Sequence, residues 1–185
     1  MPKLLIMPLL LLSLFVQAQK GTTAFSVSYG QGKGQIKPIA AKVQLLGNSS
    51  EGSIKTFEVG AYRMIGKHVA LEIGASILNH RYQYTLLDEP GRKPVYKSEN
   101  TFVLPIKLRI AVLKYIFISG GFLLNEEFGE NDGLGIDIGF GIGAGVQYYF
   151  KNKYGVFIYP QTNIHSLTIG LSEQHVAFGL AYKIN

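Results

Sequence analysis

Residues 133–150, GLGIDIGFGIGAGVQYYF, alternate so regularly that few folds can hold them. One set of alternate positions is Ile136, Ile138, Phe140, Ile142, Ala144, Val146, Tyr148 and Phe150. The other is Gly135, Asp137, Gly139, Gly141, Gly143, Gly145, Gln147 and Tyr149. Side chains along a strand point to opposite faces in turn, so this is a strand with one apolar face and one small or polar face. At roughly 16 residues it is long beside the ~5–6 of a soluble strand. Turned inward, the apolar face would build a soluble sandwich. Turned outward, it meets lipid, and the small polar face lines a crowded lumen.

The first residues read as an export signal. Met1-Pro2-Lys3 is a short positive start, Leu4 to Val16 is apolar, and Val16-Gln17-Ala18 resembles a small-residue cleavage site. The expected division is a signal peptide over 1–18 and one domain over 19–185. An apolar core of ~13 residues falls short of the ~20 that a spanning helix needs. The absence of Cys excludes a disulfide framework, a thiolate metal site and a cysteine nucleophile. Of 18 Lys and Arg, Lys3 leaves with the signal, so 17 face 12 Asp and Glu, a net +5. That balance in an exported chain points to anionic surfaces such as lipopolysaccharide phosphates, and away from nucleic acid.

Alternation recurs along the rest of the chain. Ala24–Gly30, Thr56–Ile65, His68–Leu78, Thr101–Val112, Tyr115–Leu124 and His175–Ile184 each carry one apolar face, and Val156–Pro160 is poorly phased. With 133–150 this gives about eight strands. The connections sort themselves. Gly66-Lys67, Leu113-Lys114 and Lys151–Tyr154 are short, whereas Gln31–Ser53, Asn79–Asn100, Asn125–Asp132 and Gln161–Gln174 are long and polar. Strict alternation of short and long connections is what an outer-membrane barrel has, with short periplasmic turns and long external loops. A Greek-key sandwich gives no reason for it. The expected fold is therefore all-β, an eight-stranded antiparallel up-and-down transmembrane β-barrel. Two positions are awkward. Arg63 falls on the apolar face and needs an interface position or a bulge, and Pro105 predicts a bulge because a closed barrel has no edge strand.

Aromatic residues mark the two expected interfaces: Tyr115, Tyr148, Tyr149, Phe150, Tyr154 and Tyr182 at one, Tyr29, Phe57, Tyr82 and Phe102 at the other. On the inward faces Glu72 and Arg109 stand at similar heights on neighbouring strands and are expected to pair, with Glu58, Lys107 and Asp137 completing a lumenal charge network. An eight-stranded barrel is just wide enough for side chains, so that network is expected to leave no open channel.

Several stretches resemble the outer-membrane β-barrel domain family of Bacteroidota, the PorT-like small barrels. They are the signal ending Val16-Gln17-Ala18-Gln19, the strand Phe102-Val103-Leu104-Pro105-Ile106-Lys107-Leu108, the glycine-rich Gly139–Phe150 ending in aromatics, and the closing Phe178-Gly179-Leu180-Ala181-Tyr182-Lys183-Ile184. The resemblance implies an outer-membrane location, insertion by the barrel assembly machinery, and no shared catalytic residues. Such barrels usually end on an aromatic residue, whereas here Tyr182 is the last one, before Lys183-Ile184-Asn185.

Candidate chemistry is sparse. Gly139-Phe-Gly141-Ile-Gly143-Ala144 matches a dinucleotide fingerprint formally, but no helix follows and the alternation continues to Phe150. His165-Ser166 with Glu173 and His175 offers a lipid A deacylase-like site, yet adjacent residues on an extended segment point apart, and the expected reading is polar loop residues. His80, His165 and His175 have no metal-ligand spacing. Lys33, Lys37, Lys42, Arg81, Arg92, Lys93 and Lys97 fall in the long loops, where they are candidate contacts for outer-membrane lipids and lipopolysaccharide. The expectation is a structural or binding component of the envelope, no enzyme, with no cofactor or metal. The alternatives are the lipid hydrolase and a soluble, lipocalin-like carrier of apolar ligands.

Overall fold

A computed structural model describes residues 21–36, 50–84, 95–127, 136–165 and 171–184; the leader and the segments between these ranges lie outside it. Eight strands follow one another: β1 (Thr23–Ile36), β2 (Ser50–Met64), β3 (Val69–Tyr84), β4 (Val95–Ala111), β5 (Ile116–Glu127), β6 (Ile136–Tyr149), β7 (Tyr154–Ile164) and β8 (Leu171–Lys183). Each pairs antiparallel with the next, and β8 pairs with β1, so the sheet closes on itself. Closure leaves no edge strand whose backbone groups would go unpaired in lipid.

The faces fall as the alternation requires. Phe122, Phe178 and Leu180 are 62%, 57% and 60% exposed, whereas Phe117 and Leu123 are at most 1% exposed. The first three point out of the barrel and the other two into it. A continuous belt of Ile, Val, Leu and Phe therefore surrounds the outside, bounded towards the loops by Tyr29, Phe57, Ile77 and Phe102. At the turn end, Tyr115 stacks on Tyr148 with ring centroids 5.8 Å apart, and Tyr154 meets Tyr182 at 5.0 Å. Tyr82 and Tyr149 leave the expected girdles, because both point into the lumen. An arginine at Ile142, which is outward and half exposed in mid-belt, is expected to cost about 2–4 kcal/mol in a bilayer. At Gln174, on the same face above the belt, the same change is expected to cost about 0–1 kcal/mol. Urea unfolding of both variants in vesicles checks this.

The three turns occupy 65–68, 112–115 and 150–153, as short as expected. Within the third, Lys153 adopts a φ of 70°, the left-handed conformation that completes a tight reversal. The long connections are shorter than the hydropathy pattern implies. β1 runs on to Ile36, β3 to Tyr84 and β7 to Ile164, and β8 begins at Leu171. Backbone pairing continues past the belt, where outward side chains have turned polar and apolar alternation ends.

No bulge forms at either awkward position. The β1–β2 and β2–β3 registers run unbroken through Arg63, which pairs with Thr23 and Leu71 at the turn-side rim. Pro105 is accommodated differently: β3–β4 pairing lapses opposite Leu104 and Pro105 and resumes in the same register on both sides. A proline has no N–H to donate, so a local gap in the ladder suffices. Its ring points inward, with Cγ 3.1 Å from where a Cβ on Gly74 would stand. Pro160 produces the same kind of gap between β6 and β7.

Candidate functional site

The lumen is filled in layers. In the layer nearest the turns, the Tyr62 and Tyr149 hydroxyls hydrogen-bond to each other and the Lys183 ammonium lies 3.7 Å from the centroid of the Tyr149 ring. Above it is the ion pair that the spacing predicts. Arg109 Nε donates to Glu72 Oε2 at 2.9 Å and its Nη2 to Oε1 at 3.3 Å, a two-pronged contact across β3 and β4. Arg109 Nη1 donates to Gln147 Oε1 at 3.2 Å, and Ser119 donates to Glu72 at 3.4 Å. The guanidinium plane rests on Phe117 at 4.0 Å and Tyr62 at 4.6 Å. Both charged groups are almost wholly buried, so their attraction acts with little water to weaken it.

The middle layer belongs to Lys107. Its Nζ donates to Gln161 Oε1 at 3.0 Å and lies 5.7 Å from the Tyr159 ring centroid. Glu58 faces the same space from β2 and borders the same small cavity as Lys107. Asp137, the fifth residue of the expected network, is at the loop end of β6. Its carboxylate accepts a hydrogen bond from the Ile138 backbone N–H at 2.8 Å.

The layer nearest the loops gathers His165, Glu173 and His175, which the sequence groups as a candidate hydrolytic set but assigns to a loop. Glu173 is 2% exposed and accepts from Asn163 Nδ2 at 2.6 Å; His165 Nε2 lies 2.8 Å and His175 Nδ1 3.3 Å from the same carboxylate oxygen. Asn125 holds the other side of His165, its Oδ1 2.9 Å from Nδ1, while its amide group donates to backbone carbonyls. Gln161 Nε2 lies 2.6 Å from His175 Nε2 and joins this layer to Lys107 below. His80 caps the cluster, buried and tilted on Tyr82 at 5.3 Å. Between the middle and upper layers is a cavity of about 10 Å³, the room of one water molecule, bordered by Glu58, Lys107, Asn163 and Glu173. Glu173 Oε2 and Asn163 Oδ1 have no protein donor.

These residues sit where the sequence pattern had placed loop. His165 directly follows β7, and Glu173 and His175 are in β8, all buried in the lumen. The signal was present: Tyr159, Gln161, Asn163 and His165 continue one period of two, and Glu173, His175 and Ala177 another. His165 Nδ1 meets Asn125 Oδ1, whereas its Nε2 lies 2.8 Å from the Glu173 carboxylate without hydrogen-bond alignment. Ser166 lies outside the described residues. Among the described residues no group of three His, Asp or Glu is placed to hold a metal. Of the cations expected to meet lipid, Lys33 and Arg81 are exposed on the outside beyond the belt, and Lys97 lies in β4 opposite Tyr82. Lys37, Lys42, Arg92 and Lys93 are outside the described residues.

No family model matches the sequence, and no curated protein does. Solved structures share the architecture. The crystal structure of Neisserial surface protein A aligns with a TM-score of 0.53 over 87% of this chain and 99% of that one, at 13% identity. With the closed sheet and the outward belt already in place, that decides the fold. The chain is an eight-stranded transmembrane β-barrel. The Yersinia pestis outer membrane protein Ail, in a phospholipid bilayer nanodisc, aligns at a TM-score of 0.46 and 13% identity over 89% of this chain and 100% of that one. A de novo designed transmembrane β-barrel aligns at 0.44 and 14% identity over 90% of this chain and 98% of that one. At such identities the likeness is one of fold.

Proposed function

We propose that this barrel is an integral outer-membrane protein, exported through a cleaved signal over 1–18, that serves the envelope as a structural or binding scaffold and conducts nothing. One observation carries the reading: an outward aliphatic belt surrounds a lumen whose described layers are filled by paired charges and rings, with a water-sized cavity between the middle and upper layers. A soluble carrier of apolar ligands needs the opposite arrangement, with its apolar rows inside. The resemblance of the Leu104-Pro105 and Gly139–Phe150 strands to PorT-like barrels of Bacteroidota supports the same location, as does the Neisserial relative. Outer-membrane lipid and lipopolysaccharide are the proposed surroundings, with Lys33 and Arg81 above the belt among the proposed contacts. We propose no catalysis, because His165, the base that a hydrolase would use, is held between Asn125 and Glu173.

Carbonate extraction of cell membranes tests the location: the protein is expected to stay in the pellet, and release into the soluble fraction would refute it. A gel of unboiled sample should show a folded band that shifts on heating. In planar bilayers the purified barrel is expected to give no stable conductance, and steady single-channel steps would end the pore-free reading. Lipid A acyl patterns from cells carrying Ser166→Ala are expected to equal those of the parent.

A further inference from the structure

Charge is divided unequally between the two ends of this barrel. Residues 31–55, 79–100 and 125–137, on the loop side, carry eight Lys and Arg and nine Asp and Glu. No acidic residue occurs in 59–71, 100–125, 138–172 or 174–185, the stretches that contain every turn and the closing end of β8. The turn end nevertheless holds Arg63, Lys67, Lys114, Lys151, Lys153 and Lys183. Lys67, Lys114, Lys151 and Lys153 are exposed, with at least one on every turn, so they are distributed around the mouth.

The surroundings of these lysines identify what they face. Ile65 and Leu113, in the same turns, are each 62% exposed, and Val112 is 53%. Directly above are the stacked Tyr115 and Tyr148 and the Tyr154–Tyr182 pair of the girdle. Lys114 Nζ lies 5.1 Å from the Tyr115 ring, and Lys153 Nζ donates to the Ile184 carbonyl at 3.2 Å, so both cations stay at the rim. A turn that carries bare Ile and Leu beside Lys suits the head-group layer, where the apolar part meets acyl chains and the ammonium meets phosphate.

We infer that the turn end is a docking surface for anionic phospholipid head groups of the leaflet it enters, a ring of lysines matched to lipid phosphodiesters. This rests on the reading of the chain as a membrane-embedded barrel. The net positive charge that composition assigned to the protein as a whole therefore acts at the turn end, opposite the loop cations considered for lipopolysaccharide.

The test uses the folded barrel in detergent, titrated with phosphatidylglycerol or phosphatidylcholine, with bound lipids counted by native mass spectrometry. Phosphatidylglycerol is expected to bind about fivefold or more tightly than phosphatidylcholine at low salt, and 0.5 M NaCl is expected to remove most of that preference. The K67Q/K114Q/K151Q/K153Q variant is expected to lose it while keeping the heat-shifted band. Equal binding of the two lipids, or a preference that survives salt or the quadruple change, would overturn the inference. Failure to embed in membranes would instead remove the reading beneath it.

Discussion

Replacing Arg109 with alanine is expected to destabilise the barrel by about 3–5 kcal/mol, and Glu72→Ala by a similar amount. Each change leaves its former partner charged in a space with almost no water. In the Arg109 variant, Glu72 keeps Ser119 as its side-chain donor among the described residues. In the Glu72 variant, Arg109 keeps Gln147 and the rings of Phe117, Tyr62 and Phe157. The E72L/R109M double change removes both charges and is expected to cost clearly less than the two single losses summed, since neither desolvated ion remains. Urea unfolding in vesicles, followed by tyrosine fluorescence, measures all three, because the chain has 11 Tyr and no Trp. Single losses below about 1 kcal/mol would mean that the pair is hydrated and the lumen wet.

Gly121→Val is expected to prevent the barrel from closing. Gly121 is on the lumen face of β5 opposite Lys107, and a Cβ there would run into the Ile106 carbonyl and stand 2.6 Å from Lys107 Cα. Those are backbone atoms of a paired strand, which cannot turn aside as a side chain can. The cost is expected to reach about 3 kcal/mol or more, the upper end for overpacking. The neighbouring Gly120 is the control. It points outward, and its Cβ would meet nothing nearer than 3.5 Å. Gly120→Ala is expected to be neutral within about 0.5 kcal/mol. The heat-shifted gel band reports both: absent for Gly121→Val, unchanged for Gly120→Ala. Equal behaviour of the two would refute the argument from lumenal crowding.

The weak phase of β7 shows where the sequence pattern runs out. Its outward row, Val156, Ile158, Pro160, Thr162 and Ile164, is apolar but for Thr162, and its inward row opens with Phe157 and Tyr159, so both faces look greasy. Those rings complement glycines on other strands. Tyr159 Cε2 lies 2.7 Å from where a Cβ on Gly143 would stand, and Phe117 Cζ 2.5 Å from the equivalent point on Gly145. The glycine row of β6 and the aromatic rows of β5 and β7 fill one space together. Nothing in a single strand discloses that match. Glu72–Arg109 could be anticipated because it joins neighbouring strands at equal height. Asn125–His165 could not, because it spans strands that never pair.

The faces of the strands, the order of short and long connections and hence the closed barrel are legible in the chain alone, because they depend on a two-residue period and on chain neighbours. Which inward residues meet is settled by the closed three-dimensional arrangement. Lys107 reaches Gln161 from 54 positions away and Arg109 reaches Gln147 from 38, across a lumen whose width, tilt and stagger come from closing the whole sheet. Contacts made through that space have no period in the chain, so their partners appear only once all eight strands are in place.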